Sequence, residues 1–221
     1  MNDYRRARKP EQKEERRLHL LETARAFLRE GGDARALGLN ELARRASMAK
    51  SNVYRYFETR EAVLLALLWD EWESWFRELD AAEQRPPSYP CSLEALTAFI
   101  ARTIAARPLL GQLTSLLPSV LEHNLSESAI IEFKTGTIAF FRGVAGYLAE
   151  RAPELRADEY ERFIHDAVTL ITGLYPYSYP SAAVARAHAH GELGRLAVDY
   201  ERDLARLLLA VGRAHLAARV D

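Results

Sequence analysis

Leu18, Leu21, Ala24 and Leu28 recur at three- and four-residue intervals and stop at Gly31-Gly32, the pattern of an amphipathic helix closed by glycine. After Gly38, a shorter segment places Leu39, Leu42, Ala43 and Ala46 on one side, and a third begins near Lys50 with Val53, Tyr56 and Phe57. Thr59 can cap a long fourth helix that carries Val63, Leu67, Trp72 and Leu79 to about residue 84. "RPPSYP", Arg85–Pro90, breaks the pattern. Beyond it, helical periodicity returns over about 92–106, 108–123, 127–151, 158–175 and 195–218, and Pro118 should kink or break the second of these. No stretch alternates with period two for long enough to be a strand, so the fold expected is all-α with about nine helices.

Charge divides the chain. Residues 1–60 hold 15 Lys+Arg against 9 Asp+Glu, or +6, and residues 61–221 hold 15 against 22, or −7. A basic front suits a polyanion, although a solvated cluster of charge has the same composition. Cys91 is alone, no apolar run reaches the roughly 20 residues that span a bilayer, and the charged start lacks a secretory pattern. These features lead to the expectation of a cytoplasmic protein with no membrane partner. A Gly-rich phosphate loop, a zinc-ligand pattern and a nucleophile motif are all missing, so neither an enzyme nor a metal or other cofactor is expected.

The second and third helices are short and separated by only "SMAK". Two short helices on a tight turn make a helix-turn-helix, whose second helix can enter the DNA major groove. At its start stand Lys50, which can neutralise phosphate, and Ser51 and Asn52, which can donate to and accept from base edges. Helical phase turns Val53 and Phe57 inward and Tyr54 and Arg55 outward. Tyr56 lies between, able to pack its ring and offer its hydroxyl.

"LLETARAFLREGG", "LNELARRASMAKSNVYRYF" and "TREAVLLA" occur here in an order and spacing that resemble the DNA-binding domain of the TetR (tetracycline-repressor-like) family of transcriptional regulators. The resemblance implies three divisions: an arm at 1–14, a helix-turn-helix domain at 15–60, and a helical effector-binding and dimerisation domain at 61–221. It implies DNA contacts at Lys50, Ser51, Asn52, Tyr54 and Tyr56, with Arg60 on backbone phosphate; Arg55, turned outward by helical phase, can reach phosphate as well. Two positions depart from the pattern: Ser47 stands where glycine is usual in the turn, and Ala49 where Ser or Thr often caps the third helix. The basic arm, with Arg5, Arg6, Arg8 and Lys9, either follows phosphates or serves as a solubilising tail.

One short recognition helix reads few base pairs, so a two-fold dimer on palindromic duplex DNA is expected. Tyr160, Ile164, Ala167 and Ile171 form one stripe, and Tyr200, Leu204, Leu208, Val211 and His215 another. The resemblance implies that the last two helices pair with a second copy; the alternative is that both stripes face their own core. Trp69, Trp72 and Trp75, with Phe99, Leu113, Leu117, Phe133, Phe140, Phe141 and Tyr147, could enclose an apolar cavity for a small-molecule effector, anchored by His123, Asn124 or Tyr175. Gly136, Gly143 and Gly146 either leave room for a ligand or allow close helix approach. The function expected is a homodimeric repressor released when an effector moves the fourth helix; the alternative is a DNA-binding protein with no sensing pocket. "HAH" at His188 and His190 lacks companion ligands, and "YPYSYP" at Tyr175–Pro180 reads as a helix terminator with buried rings.

Overall fold

The computed structural model describes residues 3–81 and 91–218, with side chains from residue 11 onward. The side chains of Arg5, Arg6, Arg8 and Lys9 and the breaker Arg85–Pro90 therefore lie outside the described residues. All regular structure among the described residues is helical, and no helix is long and apolar enough to cross a membrane. Among the described residues there are ten α-helices: α1 (Asp3–Arg29), α2 (Leu39–Arg45), α3 (Lys50–Val53), α4 (Arg60–Asp80), α5 (Leu93–Ala105), α6 (Pro108–Leu116), α7 (Glu127–Arg151), α8 (Ala157–Ser178), α9 (Ala182–His188) and α10 (Tyr200–Ala217). A π-helical turn, Leu117–Leu121, extends α6, and a 3-10 helix, Gly191–Leu196, follows α9.

The helices form two compact units, residues 1–70 with 119–125, and 71–118 with 126–221. In the first, Leu20, Leu21, Leu42, Val53, Leu64, Leu67 and Leu68 are all but fully buried. Leu18 is 48% exposed, so the inner face of α1 begins at Leu20. Helix α1 starts at Asp3, and the segment expected as an arm has helical backbone. In the second unit α10 packs on α5 and α8, and α8 also packs on α6 and α7.

Pro118 shapes the end of α6. A proline cannot donate to the carbonyl four residues back. That carbonyl, on Thr114, lies 3.3 Å from the Thr172 hydroxyl of α8, which also reaches Val168 O at 2.8 Å. The helix widens into the π turn instead of breaking. Pro176 is likewise tolerated inside α8, which continues to Ser178.

Helices α1 and α2 end on the same motif. After α1, Gly31 takes a φ of +88°, its N–H donates to Leu28 O at 3.1 Å, and Gly32 N–H donates to Phe27 O at 3.0 Å. After α2, Ser47 takes a φ of +52°, donating to Arg44 O at 3.3 Å, and Met48 donates to Ala43 O at 2.9 Å. This double bond is the usual glycine-dependent helix stop. Ser47 holds it without glycine, against a cost of roughly 1 kcal/mol.

Candidate nucleic-acid interface and inner cavity

Helix α3 is four residues long and continues as a turn through Tyr56. Val53 is fully buried and Phe57 is 5% exposed, so they pin this segment to the first unit's core. Lys50, Ser51, Tyr54 and Arg55 are exposed, and Asn52 and Tyr56 half-buried. One edge therefore collects an ammonium, a hydroxyl, a carboxamide, a guanidinium and a phenol. The Lys50 ammonium lies 5.8 Å from the centre of the Tyr54 ring. Ala49 caps α3 without a side-chain hydrogen bond, as its methyl group dictates. Arg17 lies 5.8 Å from the Phe57 ring, and His19 Nε2 stands 3.2 Å from Ala46 O, so α1 braces both sides of the turn.

The neighbouring cations are differently engaged. Arg44 and Arg45 both hydrogen-bond Glu41 on α2, and these contacts, the Arg44 bond foremost, lower the Glu41 carboxyl to about 2. Arg60, the residue expected on phosphate, bonds Glu61 through Nε at 3.0 Å and Nη2 at 2.5 Å, and donates to Arg35 O. Glu61 is 4% exposed, and Asn124, expected as an effector anchor, donates to it at 3.2 Å. Burial alone would raise the Glu61 carboxyl, but the Arg60 and Asn124 bonds hold it below its ordinary range. Arg60 thus fixes the start of α4 to the turn before α2, while Thr59 Oγ1 accepts from Ala62 N–H at 3.1 Å as the helix cap.

In the second unit an apolar cavity of about 50 Å³ lies among Trp72, Trp75, Ile104, Phe140, Phe163 and Ile171. Trp72 stacks on Phe133 and Phe140 at 6.0 and 6.3 Å, and meets Phe141 at 5.6 Å. Trp75 Nε1 donates to Thr103 Oγ1 at 3.1 Å. Of the residues expected at an effector site, Trp72 and Phe140 line this cavity, and Phe133 touches its Trp72 wall. Others lie elsewhere. Trp69 belongs to the first unit, Leu113 is buried core, Phe99 carries Arg102 at 5.5 Å, Leu117 starts the π turn, and His123 is exposed. Tyr175 joins Tyr179 and Tyr200 in a ring cluster against Gly111, where a Cβ would clash with the Tyr175 ring.

The two stripes expected at a dimer contact also fall otherwise. Tyr160, Leu204 and Leu208 are wholly buried, and Ile164, Ala167, Ile171 and Tyr200 nearly so, within their own chain. Ile164, Ala167 and Ile171 line the cavity. Val211 is half-buried, and His215, half-buried too, stands 2.9 Å from Asp166 Oδ2. Most of these side chains are already covered by their own helices. Trp75 and Phe141, also expected in the bundle, line the cavity as well. Val144 and Phe163 were not expected there; their helical phase marks them as buried without saying against what.

Comparison with known proteins follows these units. "Bacterial regulatory proteins, tetR family" matches residues 20–67, and "Tetracyclin repressor-like, C-terminal domain" matches residues 69–213. No curated protein matches. The crystal structure of a TetR transcriptional regulator from Rhodococcus sp. RHA1 has a TM-score of 0.58 at 16% identity, covering 92% of this chain and 96% of that one. A TetR/AcrR-family regulator from Thermobifida fusca has a TM-score of 0.45 at 21% identity, covering 88% and 97% respectively.

Proposed function

The chain belongs to the TetR family of bacterial regulatory proteins, and from that premise we propose a homodimeric repressor that holds a palindromic operator until a small, largely apolar effector binds. DNA binding comes with the family; the finer reading rests on one observation above all. On α3, the shortest α-helix among the described residues, and the turn that follows it, Val53 and Phe57 are inside while Lys50, Ser51, Tyr54 and Arg55 are outside. An anchored helix whose free edge carries mixed donors and acceptors suits base and phosphate contact together.

A helix of four residues reads only a few base pairs, which supports a second copy across a palindrome. Its contact with the first falls on the outward sides of α8 and α10, where Thr169, Gly173, Ala210 and Ala214 are exposed. Small residues there permit close helix approach.

The cavity supports an apolar effector. Its volume is about a third of the ~150 Å³ that accepts benzene in an engineered core, so entry requires rings to move. Helix α7 permits this, because none of its side chains before Val144 is buried. Phe140 and Phe141 can swing outward with that half of the helix. An effector bearing on Trp72 and Trp75 acts on α4, the helix that begins at Arg60.

The reading is tested by titrating labelled operator duplex, obtained by selection, while following tryptophan fluorescence. We expect two chains per duplex, and a 5- to 150-fold loss of DNA affinity, roughly, with any apolar compound that quenches the tryptophans. One chain per duplex would remove the homodimer. Quenching with unaltered DNA affinity would leave a regulator that does not sense through this cavity.

A further inference from the structure

The segment between α8 and α10 buries nothing. No residue of α9 or of the 3-10 helix is buried, although both are regular and Ser181 caps α9 by accepting from Val184 N–H. Five of the nine large hydrophobic residues exposed among the described residues lie here: Tyr177 (72%), Tyr179, Val184, Leu193 and Leu196 (66%). Three of them, Tyr177, Val184 and Leu196, line an open groove of about 460 Å³ together with Pro176 and Pro180. "YPYSYP" is therefore more than a terminator with buried rings, because Tyr177 is 72% exposed, while Tyr179 packs one side on Tyr175 and Tyr200.

We propose that this segment, with Tyr177, is a docking arm for a second copy of this chain. The inference rests on the homodimer reading above and adds to it a contact separate from the outward sides of α8 and α10.

Area argues for a copy as the occupant. Tyr177, Val184 and Leu196 leave on the order of 350 Å² uncovered, a large share of the roughly 800 Å² each partner contributes to a standard interface. Aromatic and aliphatic groups in one patch are the composition of an interface centre, and Tyr is a frequent anchor. Continuity argues the same way. Thr169, Gly173 and Tyr177 follow one another four residues apart on the outward side of α8, and a Cβ at Gly173 would meet nothing. A close helix approach along that line brings the second copy directly to Tyr177. Under two-fold symmetry the patch is used twice, which makes it self-complementary. A small ligand fits less well, because a groove this open covers little of it.

Sedimentation equilibrium tests the arm using the full chain, a Tyr177→Asp/Leu196→Asp variant and an Ala210→Asp variant. All three should keep the same circular dichroism, since none of the three positions is buried. The wild type should dimerise, and the arm variant should raise the dimer Kd on the order of tenfold or more, the scale of losing a buried anchor. Hydroxyl-radical oxidation of Tyr177 should fall severalfold from dilute monomer to concentrated dimer. A wild type that stays monomeric overturns the homodimer reading and the arm with it. A wild type that dimerises, an Ala210→Asp variant that does not, and an arm variant of unchanged Kd overturn the arm alone. The same holds if Tyr177 stays fully reactive in the dimer; another protein or a vesicle surface would then be its occupant.

Discussion

Ser47, Tyr200 and Glu61 each carry a local conflict that a single substitution should expose. Ser47→Gly removes the strain of a left-handed serine at a helix stop. Urea unfolding should show a gain of about 1 kcal/mol, reduced by glycine's greater freedom in the unfolded chain. Tyr200 is 6% exposed, and its hydroxyl has no hydrogen-bond partner among the described residues. Tyr200→Phe should therefore be neutral or stabilise by about 1 kcal/mol, read by the same unfolding curve. A loss would mean that the hydroxyl is satisfied in solution. For Glu61, the folded carboxyl lies below its ordinary range, so its bonds to Arg60 and Asn124 stabilise the fold above the unfolded pKa. That stabilisation is lost as pH falls through the depressed folded value. Glu61→Gln should flatten the acid limb of stability against pH and leave the region above neutrality nearly parallel to wild type.

At the scale of elements, α6, α7 and α8 set the properties of the cavity. Phe163 is 1% exposed and stands edge-on to Tyr160 at 5.9 Å. Phe163→Ala should cost about 3–5 kcal/mol and enlarge the cavity, and benzene should then raise the variant's Tm more than the wild type's. An equal shift in both would place benzene elsewhere. Helical periodicity made α1–α8 and α10 legible, and the inward phase of Val53 and Phe57 was visible from spacing alone. Three things were not. The contact of the Thr172 hydroxyl with Thr114 O, the carbonyl that Pro118 cannot serve, joins residues 58 apart in the chain. Stripes on α8 and α10 announce burial, but the same stripe serves a core, a cavity or a partner, and here it serves the first two. Helix α9 and the 3-10 helix bury nothing, so they leave no periodic trace. For Arg60, the family resemblance suggested phosphate, whereas its bonds to Glu61 and Arg35 appear only in three dimensions.

For the whole molecule, the basic first sixty residues and the exposed edge of α3 imply a DNA affinity that falls with salt. Lys50→Ala should weaken binding to all sequences and reduce the slope of log affinity against log salt by about 1, whereas Asn52→Ala should change which sequences are preferred. Arg60→Ala should act differently again. It frees the buried Glu61 carboxylate, so its loss should register in thermal unfolding before it registers in the salt slope. The most direct measurement is selection of random duplex DNA by the wild-type chain and by Asn52→Ala in parallel, followed by sequencing. The account predicts a palindrome from the wild type, and from Asn52→Ala an enrichment altered at symmetric positions in both half-sites. Enrichment without two-fold symmetry, or the same sequences from both proteins, would contradict it.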